Sequence, residues 1–249
     1  TTSTANVGAC LASLGKKVLM IDLDPQSNMS MHLGVNVHGK DLSIYQLICG
    51  KKKVTEILAK TEISGLDIIP SDIDLASAEI ELVNTVGRET IVKFYLDKLI
   101  NKYDYVLIDC PPSLGLLTLN ALTVANEIFV PLQTEFFALQ GVSKLLQTFD
   151  VIKKRLNSSL EITGIIPCMY DSRTKLGTAV LDKIKEYFED KVFTSIIRKN
   201  IKLSEAPSHG VPIITYAPDS NGAQDYMALT KEVIAQEKKI LKFKGVKAK

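Results

Sequence analysis

Three acids stand where short apolar runs end. Residues 17–24 read KVLMIDLD and close on Asp22 and Asp24, and residues 105–109 read YVLID and close on Asp109. In open α/β sheets ligands collect at the carboxyl ends of the strands. A carboxylate there can hold Mg²⁺ directly or through water, because this ion keeps part of its hydration shell. An apolar strand ending in Asp is also the form of a Walker B motif, whose acid serves the metal of a bound nucleotide. Alone the pattern is loose, and a solvated strand-end acid carries the same signature. The pair just before Pro25-Gln26 narrows the choice, since close carboxylates repel unless a cation or hydrogen bonds offset the cost. The chain opens Thr1-Thr2-Ser3-Thr4 at the start of a helical pattern. Such hydroxyls are most often caps. They are also what phosphate and Mg²⁺ meet where a phosphate-binding loop runs into a helix. On these residues alone the two readings stand level.

The elements that must position these groups alternate. A helical pattern runs from the first residue to Gly15, and the strand ending at Asp22 follows. A short helix is expected around residues 54–60, a strand at 66–70, and helices at 74–83 and 88–102. Beyond the strand ending at Asp109 the pattern gives a helix at 114–125, a strand at 127–132 and a long helix at 137–156. Strands at 162–168, 192–197 and 211–216 then alternate with helices at 177–188 and 223–239. Five-residue strands between helices imply right-handed βαβ crossovers: an α/β fold with a mostly parallel twisted sheet and helices on both faces. A strand is expected before the first helix of such a fold, and none stands in the sequence. One domain is expected over residues 1–237, with a basic tail at 238–249. That tail holds six lysines and no acid, with Ile240, Leu241 and Phe243 interspersed. A solvated end is the expectation for it, with phosphate contacts or weak membrane attachment as the alternatives.

Composition narrows the field less. The chain has 249 residues, 46% hydrophobic and 6% aromatic without tryptophan, which suits a single aliphatic core under a parallel sheet. A net charge of +2 selects no class of partner. Cys10, Cys49, Cys110 and Cys168 form no CxxC pair, and His32, His38 and His209 form no metal-ligand spacing. With no signal peptide and no bilayer-length apolar run, a reduced, cytoplasmic protein is the expectation.

Five segments resemble the ParA/Soj branch of the deviant Walker A ATPases, which includes MinD. They are TTSTANVGACLASLGKKVLMIDLDPQSN at 1–28, IPSDIDLASAEIELV at 69–83, YDYVLIDCPPSLGLLTLNAL at 103–122, FFALQGVSKLL at 136–146 and LSEAPSHGVPI at 203–213. The last points to chromosome partition rather than to MinD. The resemblance implies a P-loop NTPase fold that uses ATP and Mg²⁺. The family's phosphate loop reads KGGVGKTT, and the sequence is similar to it from the two threonines onward. The glycines, both lysines and the preceding strand have no counterpart, so most of the P-loop and the first strand are absent and the chain is expected to be an N-terminal truncation that binds ATP poorly.

By the same match Thr1 supplies a Mg²⁺ hydroxyl and Thr2 a phosphate contact. Asp24 orients the attacking water, Asp22 holds the Mg²⁺ shell and a switch loop, and Asp109 binds Mg²⁺ through water. Pro111, Pro112 and Ser113 form a second switch. Arg198, Lys199 and Lys202 are the implied DNA contacts, with Arg198 at a position where the related pattern has proline. The implied activity is weak ATP hydrolysis stimulated by a ParB-like partner, in a homodimer that binds nucleoid DNA when ATP is bound. Alternatives are a MinD-like membrane-positioning ATPase, a metallocluster relative such as a nitrogenase iron protein, or a non-catalytic fragment.

Overall fold

The computed structural model describes residues 1–37, 39–135 and 138–243. Its strands are β1 (Val18–Asp22), β2 (Ala59–Lys60), β3 (Leu66–Ile69), β4 (Tyr105–Asp109), β5 (Glu127–Gln133) and β6 (Glu161–Cys168). The helices in the first half are α1 (Thr2–Ser13), α2 (Asn28–His32), α3 (Ile44–Ile48), α4 (Val54–Ile57), α5 (Leu75–Glu81) and α6 (Ile91–Ile100). Those in the second half are α7 (Leu116–Val124), α8 (Ala138–Arg155), α9 (Lys175–Phe188), α10 (Ile201–Glu205), α11 (Ile213–Tyr216) and α12 (Asn221–Phe243).

β1 lies at the centre of a sheet ordered β2-β3-β1-β4, parallel to β3 and β4, while β2 is an antiparallel edge. All five residues of β1 are buried, which explains its unbroken apolar run. Its side chains alternate between two cores. Val18 and Met20 pack with α1 and α12, and Leu19 and Ile21 pack with residues of α3, α5, α6 and α7. Gly8 permits the first contact, since a Cβ there would lie 2.4 Å from the Met20 sulfur.

β5 and β6 form a second parallel pair with their own core against α8 and α9, including Val130, Phe149, Ile162 and Ile184. No backbone pairing joins β4 to β5 among the described residues. Between them lies a cavity of about 520 Å³ lined by Leu107 and Ile108 of β4, Ile128 and Phe129 of β5, and Val7 and Leu11 of α1. The first four residues of β4 are accordingly only half-buried, in contrast to β1.

Three expected elements differ. The branched apolar residues of 211–216 predict a strand, but Ile213–Tyr216 is the short helix α11. Pro212 immediately before it has no N–H for a ladder, and the Ile213 N–H donates to Asn6 Oδ1 at 2.8 Å instead. Residues 192–197 run beside β6 without forming a strand; only isolated bridges at Val192 and Arg198 are made. The helix expected at 54–60 stops at Ile57, and Ala59–Lys60 pairs with β3. At the carboxyl end α12 continues past the expected tail boundary to Phe243, and residues 244–249 lie outside the described set. So do Phe136, Phe137 and His38.

Candidate active site

The parallel register of β1 and β4 sets Asp22 directly opposite Asp109. The ladder runs one step further, where the Leu23 N–H donates to the Asp109 carbonyl at 2.8 Å. Both acids therefore sit at the carboxyl end of the sheet, buried, at 0% and 5% exposure. α1 brings its first residues to the same point. Thr1 Oγ1 donates to Asp109 Oδ2 at 2.7 Å, and Thr4 Oγ1 donates to Oδ1 at 3.0 Å. Thr2 is exposed on the first turn, and its carbonyl accepts a bond from Asn6 Nδ2 at 2.9 Å.

Asp22 is held differently. Ser30 donates to its Oδ2 through both its N–H, at 2.9 Å, and its hydroxyl, at 2.7 Å. The Asp24 N–H donates to Oδ1 at 3.1 Å. Those bonds favour the charged form, yet burial outweighs them and, with a smaller push from Asp109, raises the Asp22 carboxyl to about 6. Ser30 Oγ also accepts from the Ser71 N–H just beyond β3, at 3.1 Å, so one hydroxyl ties Asp22 to the neighbouring strand end. Asp24 is buried and accepts the Gln26 N–H at 3.0 Å, with Ser27 in the left-handed region at the end of the turn.

The loop after Asp109 is pinned from α7. Thr118 Oγ1 donates to the Ser113 carbonyl at 2.6 Å and lies 3.3 Å from the Pro111 carbonyl. Pro112 and Ser113 remain exposed at the site's rim. His32 on α2 is 1% exposed with no hydrogen-bond partner for Nε2. Burial lowers it to about 4, so the imidazole is neutral near pH 7.

The structure thus brings together Thr1, Asp22, Asp24 and Asp109, with the 111–113 loop alongside. The donor set is all oxygen, carboxylate and hydroxyl, as a hard divalent cation requires. Ser30 and Thr4, which bond Asp22 and Asp109, carry no sequence signal as members of this site. Ser30 lies eight residues from its partner in a loop, a spacing that no periodicity marks.

The basic residues occupy a separate region. Lys199 is exposed, and its N–H donates to the Tyr170 carbonyl at 2.9 Å. Lys202 pairs with Glu205 at 2.8 Å and lies over the Tyr216 ring at 5.6 Å. Arg198 is engaged by Asp225, Nη2 to Oδ1 at 2.6 Å. Arg173 is brought beside them: it bonds Asp171 and, with a weaker contribution from Lys199, holds that carboxyl at about 2.

A parallel α/β sheet whose strand-end acids meet hydroxyls at a helix start defines the class, an α/β P-loop NTPase fold. A family model described as an AAA domain matches residues 1–162. The chain is 48% identical to the sporulation initiation inhibitor protein Soj of Bacillus subtilis, over 94% of this chain and 93% of that protein. It is 43% identical to the chromosome partitioning protein ParA of Caulobacter vibrioides, over 96% of this chain and 90% of that one. Among solved structures, cobyrinic acid a,c-diamide synthase of Mycobacterium smegmatis with bound ADP and magnesium superposes with a TM-score of 0.83. It is 34% identical and covers 95% of this chain and 89% of its own. The cell division ATPase MinD of Pyrococcus furiosus gives 0.76 at 25% identity, over 94% of this chain and 92% of its own. The chain belongs to the ParA/Soj family of ATPases.

Proposed function

We propose that the protein is a chromosome-partitioning ATPase that hydrolyses ATP with Mg²⁺ at the Asp22–Asp109 end of the sheet. The observation that carries this reading is the meeting of the Thr1 hydroxyl with Asp109, opposite Asp22. When bound, Mg²⁺ neutralises charge that develops on the transferring phosphoryl group. Thr1 Oγ1 and Asp109 are the groups that would hold it. Asp22, already saturated by Ser30 and the Asp24 N–H, orients the surrounding loop rather than meeting the ion itself. Asp24 positions the attacking water, and Thr2 contacts phosphate at the rim. The 111–113 loop, anchored by Thr118, senses what occupies the site.

The trough between β4 and β5 supports a further part of the reading. Two parallel edges face each other across an apolar cavity, which one more parallel strand would fill. We assign that place to a strand leading into the phosphate loop of the functional protein. ATP then favours a homodimer that binds DNA through Lys199 and Lys202, with Arg173 beside them, and a ParB-like partner stimulates hydrolysis. The proposed place of action is the nucleoid.

The test is DNA binding by the protein with its phosphate loop intact, in ATP and in ADP, across a salt series. Binding confined to ATP and lost steeply with salt supports the reading. Failure to bind in either state, with capture by anionic vesicles instead, would replace it with membrane positioning. No helix among the described residues is long and apolar enough to cross a membrane.

A further inference from the structure

Helix α12 touches both regions just described. Tyr226, 2% exposed, places its hydroxyl 3.1 Å from Ser3 Oγ in the first turn of α1, two residues beyond Thr1. The preceding residue, Asp225, is 8% exposed and faces Arg198. It accepts the Arg198 N–H at 3.0 Å, Nε at 3.1 Å and 3.0 Å, and Nη2 at 2.6 Å. Two helical turns on, Glu232 accepts the N–H groups of Thr194 and Ser195 at 2.7 and 2.9 Å. β6 takes the amides of Phe193 and Ile197 from this stretch, at 3.0 and 2.9 Å, and Tyr170 just beyond it bonds the Ile197 carbonyl and the Lys199 amide, at 3.1 and 2.9 Å. The amides of Thr194, Ser195 and Arg198 go instead to the two carboxylates of α12, so the helix shares in setting where the segment lies. Lys199 follows Arg198 directly, and Lys202 stands in the first turn of α10, whose cap is Asn200.

We propose that α12 is a strut between the nucleotide end and the basic loop: Tyr226 takes its position from Ser3, and Asp225 passes it to Arg198, which presents Lys199 and Lys202 without itself contacting DNA. The strut rests on the reading of this loop as a DNA surface. A guanidinium already bonded bidentately to a buried carboxylate has its charge offset and its fork occupied. It stands where the related pattern has proline, and the clamp fixes by four contacts a backbone that proline fixes by its ring. Along this route one residue of α12 serves each end, Tyr226 toward Ser3 and Asp225 toward Arg198, so each link can be removed separately, which a coupling claim needs.

The experiment uses the intact protein and measures affinity for a random-sequence duplex in ATP and ADP from low to high salt. Arg198→Gln, Asp225→Asn and Tyr226→Phe are compared with wild type, alongside basal ATP turnover and thermal midpoint. Arg198→Gln is expected to weaken ATP-state binding several-fold at every salt concentration, with the log–log slope unchanged. A slope shallower by about one makes Arg198 a phosphate ligand and overturns its assignment. Tyr226→Phe and Asp225→Asn are expected to keep basal turnover while the ratio of ATP-state to ADP-state affinity falls several-fold. An unchanged ratio in Tyr226→Phe, which loses one hydroxyl only and keeps its ring, overturns the strut even if Asp225→Asn fails to fold. Wild-type protein that binds DNA in neither state overturns the DNA reading instead, and is told apart by that control.

Discussion

The acid end of the sheet and the basic loop are organised by opposite means. At the acid end, backbone ladders between β3, β1 and β4 deliver Asp22 and Asp109 to adjacent positions before any side chain acts. At the basic loop the ladder is broken, and carboxylates from a helix more than 25 residues away in the chain complete the backbone bonding. The first arrangement fixes a site rigidly on a core. The second leaves a surface whose position depends on a few side-chain bonds and can be altered by moving one helix. A phosphate-binding centre benefits from the former, and a surface that must respond to nucleotide benefits from the latter.

The contrast can be broken from its rigid side first. In the intact protein Asp109→Asn is expected to lower ATP turnover roughly 10²–10³-fold, with circular dichroism unchanged because the strand ladder does not use the carboxylate. A fall of less than tenfold in single-turnover kinetics would remove Asp109 from the site. Next comes His32, buried on α2. Its folded pKa is depressed to about 4 by burial, so the unfolded chain binds the extra proton between that value and the ordinary 6.5. Stability is then fully present above about 6.5 and declines as pH falls toward 4, by roughly 3 kcal/mol over the window. His32→Leu should flatten that decline, as read from urea midpoints at pH 4.5 and 7. A parallel decline in both proteins would place the imidazole elsewhere.

At the flexible side, Glu232→Ala leaves the Thr194 and Ser195 amides without acceptors. It should cost about 0.5–1.5 kcal/mol and speed hydrogen exchange at those two residues, while Asp22 and its neighbours exchange as before. Uniformly faster exchange would mean that the two regions are not independently held. The smallest effect is expected for Lys199→Gln, which should reduce the salt slope of DNA binding by about one without changing ATP turnover.

What the sequence disclosed follows the same division. Strand-end acids could be placed because a strand converts sequence position directly into position in the sheet, and all-buried runs such as VLMID announce themselves. Thr1 could be placed with them only through the family resemblance, since its helix start reads equally well as a cap. Ser30 and Thr4 could not, since each reaches its acid across a loop or a turn that leaves no periodic trace. The helices α2, α3 and α10 have five residues each, too few for a 3.6-residue period to emerge. Residues 211–216 show local propensity overruled, their branched side chains favouring a strand while Pro212 and a distant Asn6 specify a helix start. The 192–197 stretch failed for a related reason. Its branched and aromatic residues favour extended chain, but half of the partners that would make it a strand lie on α12.

That clamp also sets a tolerance for length. Asp225 and Glu232 are seven residues apart, so they advance about 10.5 Å along α12. The amides they hold, from 195 to 198, are three residues apart and span about 10 Å in extended chain. The two spacings match because helix and segment run in opposite directions, one acting as a ruler for the other. A single residue inserted into either would shift one carboxylate by about 100° around the helix or turn one amide to the wrong side. Insertions and deletions should therefore be excluded from 194–198 and from 225–232 in any functional variant library.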